Sequence, residues 1–122
     1  MTVKQARATG TIVIQNGSPK DYCTYWRLKK FPPKKDHWGV AISKGKGVVG
    51  IAAQKGMKTP EGIRIGSSFK RLKAAYPRIK KDFHGFYVTT VPRNKKAGYV
   101  FGVTKGKVTE FYLVLNKRDC LQ

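Results

Sequence analysis

The chain has 122 residues, within the usual span of one domain, and its 40% apolar and 11% aromatic content is too high for a disordered chain. Twenty-six Lys and Arg face only six acids, so a formal charge of +20 crowds like charges within the screening length of about 8–10 Å at physiological salt. No apolar run approaches the ~18 residues of a membrane span, and residues 1–10 lack the apolar stretch of a secretory signal.

In chain order, residues 11–15 (TIVIQ) are short and β-branched and read as a strand, ended by the turn set Asn16-Gly17-Ser18-Pro19. Residues 22–28 (YCTYWRL) read as a second strand. The segment from Lys29 to Asp36 carries two prolines and four lysines and reads as an exposed loop. From His37 the alternation puts Trp38, Val40 and Ile42 on one face, and 47–54 is the return strand. Between them Ser43-Lys44-Gly45-Lys46 reads as a hairpin turn with Gly45 supplying the positive φ. The pattern recurs as Val103-Thr104-Lys105-Gly106-Lys107, between strands at 99–104 and 108–115. Ile63-Arg64-Ile65 reads as a strand broken by Gly66. After it comes a helix with Ser67 as N-cap, Phe69, Leu72 and Tyr76 on one face, and Pro77 as its stop. Residues 78–84 read as a basic loop and 86–91 as a further strand. The expected fold is α+β: a single domain over 1–122, an antiparallel sheet of hairpins packed against one main helix, with 1–10 flexible.

Cys23 and Cys120 are the two cysteines, and a bridge between them would tie the tail to the first third of the chain. Closing so long a loop stabilises by up to about 4–5 kcal/mol and implies an oxidising compartment; the alternative is two reduced thiols. Two isolated cysteines and two distant histidines have no metal-ligand spacing, and no motif asks for a cofactor. An extracellular mature form is therefore expected, with a cytoplasmic location as the alternative.

The run Thr59-Pro60-Glu61-Gly62-Ile63-Arg64-Ile65-Gly66-Ser67-Ser68, followed by Leu72 and Ala75-Tyr76-Pro77, with Val108 to Leu115 and Cys120, resembles small secreted proteins and lipoproteins of actinobacteria without assigned function. The resemblance covers the chain from Thr59 onward. The order of Ile-x-Ile-Gly-Ser-Ser, helix, strands is also similar to one repeat of the β-lactamase inhibitory proteins, where a short helix backs an antiparallel sheet that docks on an enzyme. Only one such unit is present and the cysteine spacing differs, so no enzyme-contacting residue carries over. Either resemblance implies secretion, a Cys23–Cys120 bridge and a binding role.

Three constellations are candidates for function. At the helix start, Gly66, Ser67 and Ser68 with Lys70, Arg71 and Lys73 could hold an anion, no acid being present in the first turn; ordinary Ser capping is the alternative. Tyr22, Tyr25, Trp26, Phe31 and Trp38 interleave with Arg27, Lys29, Lys30, Lys34 and Lys35, a mixture suited to stacking on bases or sugars while cations track phosphates. Against this, strand alternation also allows Trp26 and Trp38 to be core. The turn lysines Lys44, Lys46, Lys105 and Lys107 add positive field at hairpin tips. A third reading is a small ribonuclease with His37 and His84 as acid and base.

Lys outnumbers Arg and no helix-turn-helix or zinc motif occurs, which favours diffuse attraction over sequence-specific DNA reading. The leading expectation is a non-catalytic module that binds an anionic partner: nucleic acid, wall polymer, acidic glycan or an acidic protein surface. An inhibitor of a secreted enzyme is the first alternative.

Overall fold

The structure is a computed structural model that describes the main chain of residues 12–16 and, with their side chains, residues 21–29, 38–118 and 120. The expected flexibility of 1–10 and all but the first residue of the Lys29–Asp36 loop lie outside these residues. The chain divides into two compact units, Met1–Ala52 with Lys117–Gln122, and Ala53–Asn116. Both are strongly basic: twelve Lys and Arg against three acids in the first (+9), and fourteen against three in the second (+11).

The first unit is an antiparallel meander of β1 (Ile12–Asn16), β2 (Cys23–Leu28), β3 (Val40–Ser43) and β4 (Gly47–Ala52). Register places Trp26 opposite Val40 and Thr24 opposite Ile42, so these four share a face. Trp26, Val40 and Ile42 form the core there, with Leu28 and Val48 at its margin. The buried indole is satisfied by its own strand: Trp26 Nε1 donates to Thr24 Oγ1 at 2.7 Å, and the Thr24 hydroxyl donates to the Ile42 carbonyl at 3.3 Å. Gly39 lets the main chain reach β2, its N–H donating to the Trp26 carbonyl at 2.9 Å. A Cβ at Gly39 would stand 2.9 Å from that carbonyl oxygen and 3.2 Å from Arg27 Cα. Cys120 returns to β2 in a disulfide with Cys23, 97 residues away in sequence, and no cysteine among the described residues is free.

The second unit is an antiparallel meander of β5 (Lys80–Lys81), β6 (Tyr87–Val91), β7 (Asn94–Thr104) and β8 (Lys107–Leu115), with the helix α1 (Phe69–Ala75). Cross-strand pairs Tyr87–Phe101 and Phe101–Phe111 set an aromatic row on one face. Leu72 and Tyr76 of the helix side pack on that row together with Ile63, Ile79, Tyr99 and Val108. The rings of Tyr76, Tyr99 and Phe101 lie 5.6–5.8 Å apart, in tilted contact.

The α+β expectation is overturned. The protein is nearly all sheet, and its one helix among the described residues is seven residues long. The reason is local: Ser68 begins the helix and Pro77 follows its cap, leaving too few residues for a second layer across the sheet. The N-cap is Ser68, whose hydroxyl accepts from the Arg71 N–H at 3.2 Å, and not Ser67, which is buried and accepts from the Arg64 N–H at 3.0 Å. Ile63-Arg64-Ile65 is not a strand; Arg64 makes a single bridge to Lys58, while Ile63 exchanges hydrogen bonds with Thr59. Within 78–84, Lys80–Lys81 forms β5, and β7 begins at Asn94, five residues before the expected start. The positive φ of the first Lys-Gly-Lys turn belongs to Gly47 (79°), not to Gly45.

Candidate functional site

In the second unit, three features far apart in sequence meet at one end of the sheet. Chain reversal places the β5–β6 and β7–β8 turns at the same end, since Lys81 pairs with Tyr87 and Tyr87 with Phe101, three residues before Thr104. The start of α1 joins them: the Phe69 N–H donates to the Gly106 carbonyl at 2.8 Å, Ser68 bridges Lys107, and the Phe69 and Tyr87 rings lie 4.9 Å apart. Lys70, Arg71, Lys81, Lys105 and Lys107, all exposed, therefore share this end. Three residues along the strand and two strand spacings across put Lys81 about 14 Å from the β7–β8 turn, between one and two screening lengths.

The β5–β6 turn is held by its own acid. Asp82 Oδ1 accepts from the N–H groups of His84 and Phe86, each at 2.9 Å. The Asp82 N–H donates to the Phe86 carbonyl, the Gly85 N–H donates to the Asp82 carbonyl, and Gly85 takes the left-handed conformation (φ 91°). The product is a three-residue tip, Phe83-His84-Gly85, with four hydrogen bonds at its base. Phe83 is 93% exposed and its ring centroid lies 3.9 Å from that of His84.

The first unit repeats this association in reduced form. Tyr22, 52% exposed, is the other exposed large apolar side chain among the described residues, and its carbonyl accepts from the Lys44 N–H at 2.9 Å. Among the described residues, each unit thus has its most exposed ring at the end bearing a Lys-Gly-Lys turn, Lys44 to Lys46 in one and Lys105 to Lys107 in the other.

Among the described residues, the carboxylates of the second unit pair with no cation; each takes hydrogen bonds from uncharged donors. Glu61 Oε1 accepts from the Tyr76 hydroxyl at 2.6 Å, Glu110 Oε2 from Tyr112 at 3.0 Å, and Asp82 from the two amides. Burial, and then the hydrogen bond to Glu61, push the Tyr76 phenol far above its ordinary value. Burial and the bond to Glu110 push Tyr112 up to about 12, and burial raises Tyr99. The Thr59-Pro60-Glu61-Gly62-Ile63 and Ala75-Tyr76-Pro77 runs are tied together here, since Tyr76 also hydrogen-bonds Thr59 Oγ1 at 2.9 Å.

The other expected sites fare unevenly. At the helix start, the amides of Gly66, Ser67, Phe69 and Arg71 already bond Val108, Arg64, Gly106 and Ser68, so their donors are taken by the protein itself. Lys73 sits in the last turn of α1, where a cation suits the helix dipole. Trp26 is core at 1% exposure and drops out of the basic-aromatic surface. Trp38 is half-buried with its ring edge-on to Tyr25 at 6.2 Å, while Arg27 and Lys29 are exposed. Lys30, Phe31, Lys34, Lys35 and His37 lie outside the described residues.

Sequence reading passed over Phe83. The signal was an Asp three residues before a Gly between alternating segments, which reads as a hairpin tip, with an aromatic where the tip has nothing to cover it. Among the described residues no three His, Cys, Asp or Glu side chains gather to hold a metal ion, and no helix is long and apolar enough to cross a membrane. Compared with protein families, characterised proteins and solved structures, the chain has no match.

Proposed function

We propose that this protein is a non-catalytic binding module for an anionic polymer, engaged through the basic end of each unit. The observation that carries the reading is the gathering of Lys70, Arg71, Lys81, Lys105 and Lys107 around one sheet end, where the two acids, Asp82 and Glu110, accept from main-chain amides and from the Tyr112 hydroxyl. A compact body opposes such crowding of like charge, and attraction to a polyanion turns the same field to use. The Cys23–Cys120 bridge supports action in an oxidising, extracellular compartment.

The test is retention on heparin and on a single-stranded oligonucleotide over a salt series. Affinity is expected to fall steeply, with a log–log slope of about 0.7 per phosphate contacted on a single strand. Replacing Lys105 and Lys107 by Glu is expected to cut the slope and the low-salt affinity together. Absence of binding to every polyanion at low salt defeats the proposal. A stoichiometric, salt-resistant complex with a secreted enzyme would instead favour the inhibitor reading.

A further inference from the structure

Resting on the polyanion reading, we infer that the polymer is single-stranded nucleic acid and that the Phe83–His84 tip is a platform on which one of its bases stacks. A solvated phenyl ring at 93% exposure is unusual for a large apolar side chain, and here it is not the by-product of a loose loop. Asp82 and Gly85 hold the turn by four hydrogen bonds, two between main-chain groups and two accepted by the Asp82 carboxylate, so little ordering remains to be done on binding. The adjacent imidazole, 3.9 Å away between centroids and tilted by 37°, backs one side of the phenyl ring and leaves the other to a base. At the same end of the sheet stand Lys81, Lys105 and Lys107, compact charges that suit the phosphates flanking a stacked base. Tyr22 beside Lys44 gives the first unit the corresponding ring and cation.

The composition of the tip argues for a base and against a lipid bilayer. Pressing the ring into hydrocarbon would take the Asp82 carboxylate and the His84 imidazole toward the same medium, which burial of charged and polar groups opposes. A stacked base needs only the ring face and leaves Asp82 in water. One ring also offers too little apolar surface to anchor a protein to a membrane without a second signal.

The experiment uses the whole chain and two fluorescent twelve-residue strands of equal charge, one of thymidylate and one abasic. Wild-type protein is expected to bind thymidylate at least about fivefold more tightly, the lower end of what one base–aromatic stack provides. Phe83→Ala is expected to remove most of that difference, to leave abasic binding unchanged, and to leave the circular dichroism spectrum and melting temperature as they were. Phe83→Trp should retain the preference. Equal affinity for both strands, unaltered by Phe83→Ala, overturns the stacking assignment while leaving the polyanion reading in place. An equal loss for heparin in Phe83→Ala assigns the ring to sugars, and a Phe83-dependent affinity confined to vesicles of anionic phospholipid assigns it to membrane; either result overturns the base. Failure to bind either strand or heparin at low salt fells the polyanion reading and this inference with it.

Discussion

The two Lys-Gly-Lys hairpins carry the same three letters and fold differently. In the first unit, Ser43 pairs with Gly47, so the loop is three residues, Lys44 to Lys46, and the Ser43 hydroxyl accepts from the Lys46 N–H at 2.9 Å. In the second unit, Thr104 pairs with Lys107, so the loop is two residues, and both Lys105 (φ 52°) and Gly106 (φ 76°) are left-handed. The residue after the motif separates them. Gly47 can take a left-handed φ of 79° and close the longer loop; its counterpart Val108 is β-branched and goes into the core at 1% exposure. A turn is thus chosen by its exit residue as much as by its centre.

The contrast extends to how each unit is held. The first has a small core around Trp26 and a covalent tie, while the second has a helix and a continuous aromatic row without one. Reduction, or Cys23→Ser, is expected to have the largest effect, up to about 4–5 kcal/mol for closure of a loop this long. Thermal melts with and without reductant check it, and exchange protection should fall in β1–β4 before β6–β8. A melt unchanged by reductant would mean that the small core is sufficient by itself.

Alkaline conditions should single out the second unit. Phenols whose folded pKa lies above the unfolded value near 10 add stability that is complete below pH 10 and is lost as pH rises through the window toward the folded value. Tyr112, pushed to about 12, is the clearest case. Wild type is expected to lose stability relative to Tyr112→Phe between pH 10 and 12, a difference that cancels the titration of the lysines. Urea midpoints that keep a constant gap over that range would remove the effect.

Smallest and most discriminating are the turn glycines. Gly47→Ala and Gly106→Ala should each cost about 1–2 kcal/mol, the usual charge for a left-handed non-glycine residue. Gly45→Ala should stay within about 0.5 kcal/mol, as a surface change. If Gly45→Ala were as costly as Gly106→Ala, the two turns would be alike after all.

Alternation and turn residues made the strands legible: β2, β3, β4, β6 and β8 fall close to where the periodicity puts them. What stayed hidden needed tertiary information. Asn94-Lys95-Lys96 has the charge of a loop, yet it extends β7 because Asn116 reaches over, its N–H donating to the Lys96 carbonyl and its side-chain amide to the Lys95 carbonyl. At the helix start, sequence could not show that the β7–β8 hairpin takes the Gly66 and Phe69 amides. The β-branched and apolar character of Ile63 and Ile65 indicates burial and reads as a strand, whereas a tight turn onto Thr59 serves the same end for Ile63. The proposed site was the least visible, since it joins residues from position 70 to position 107.

The Cys23–Cys120 bond spans every turn of the second unit, the exposed Phe83 tip included. A peptidase that cuts that tip would break the backbone and leave both pieces on one molecule. Such a nicked protein would migrate as a single band until reductant is added and then as two. Cleavage there would separate Phe83 from the strand that positions it without releasing any fragment, so damage to the tip and loss of the protein would be distinct events.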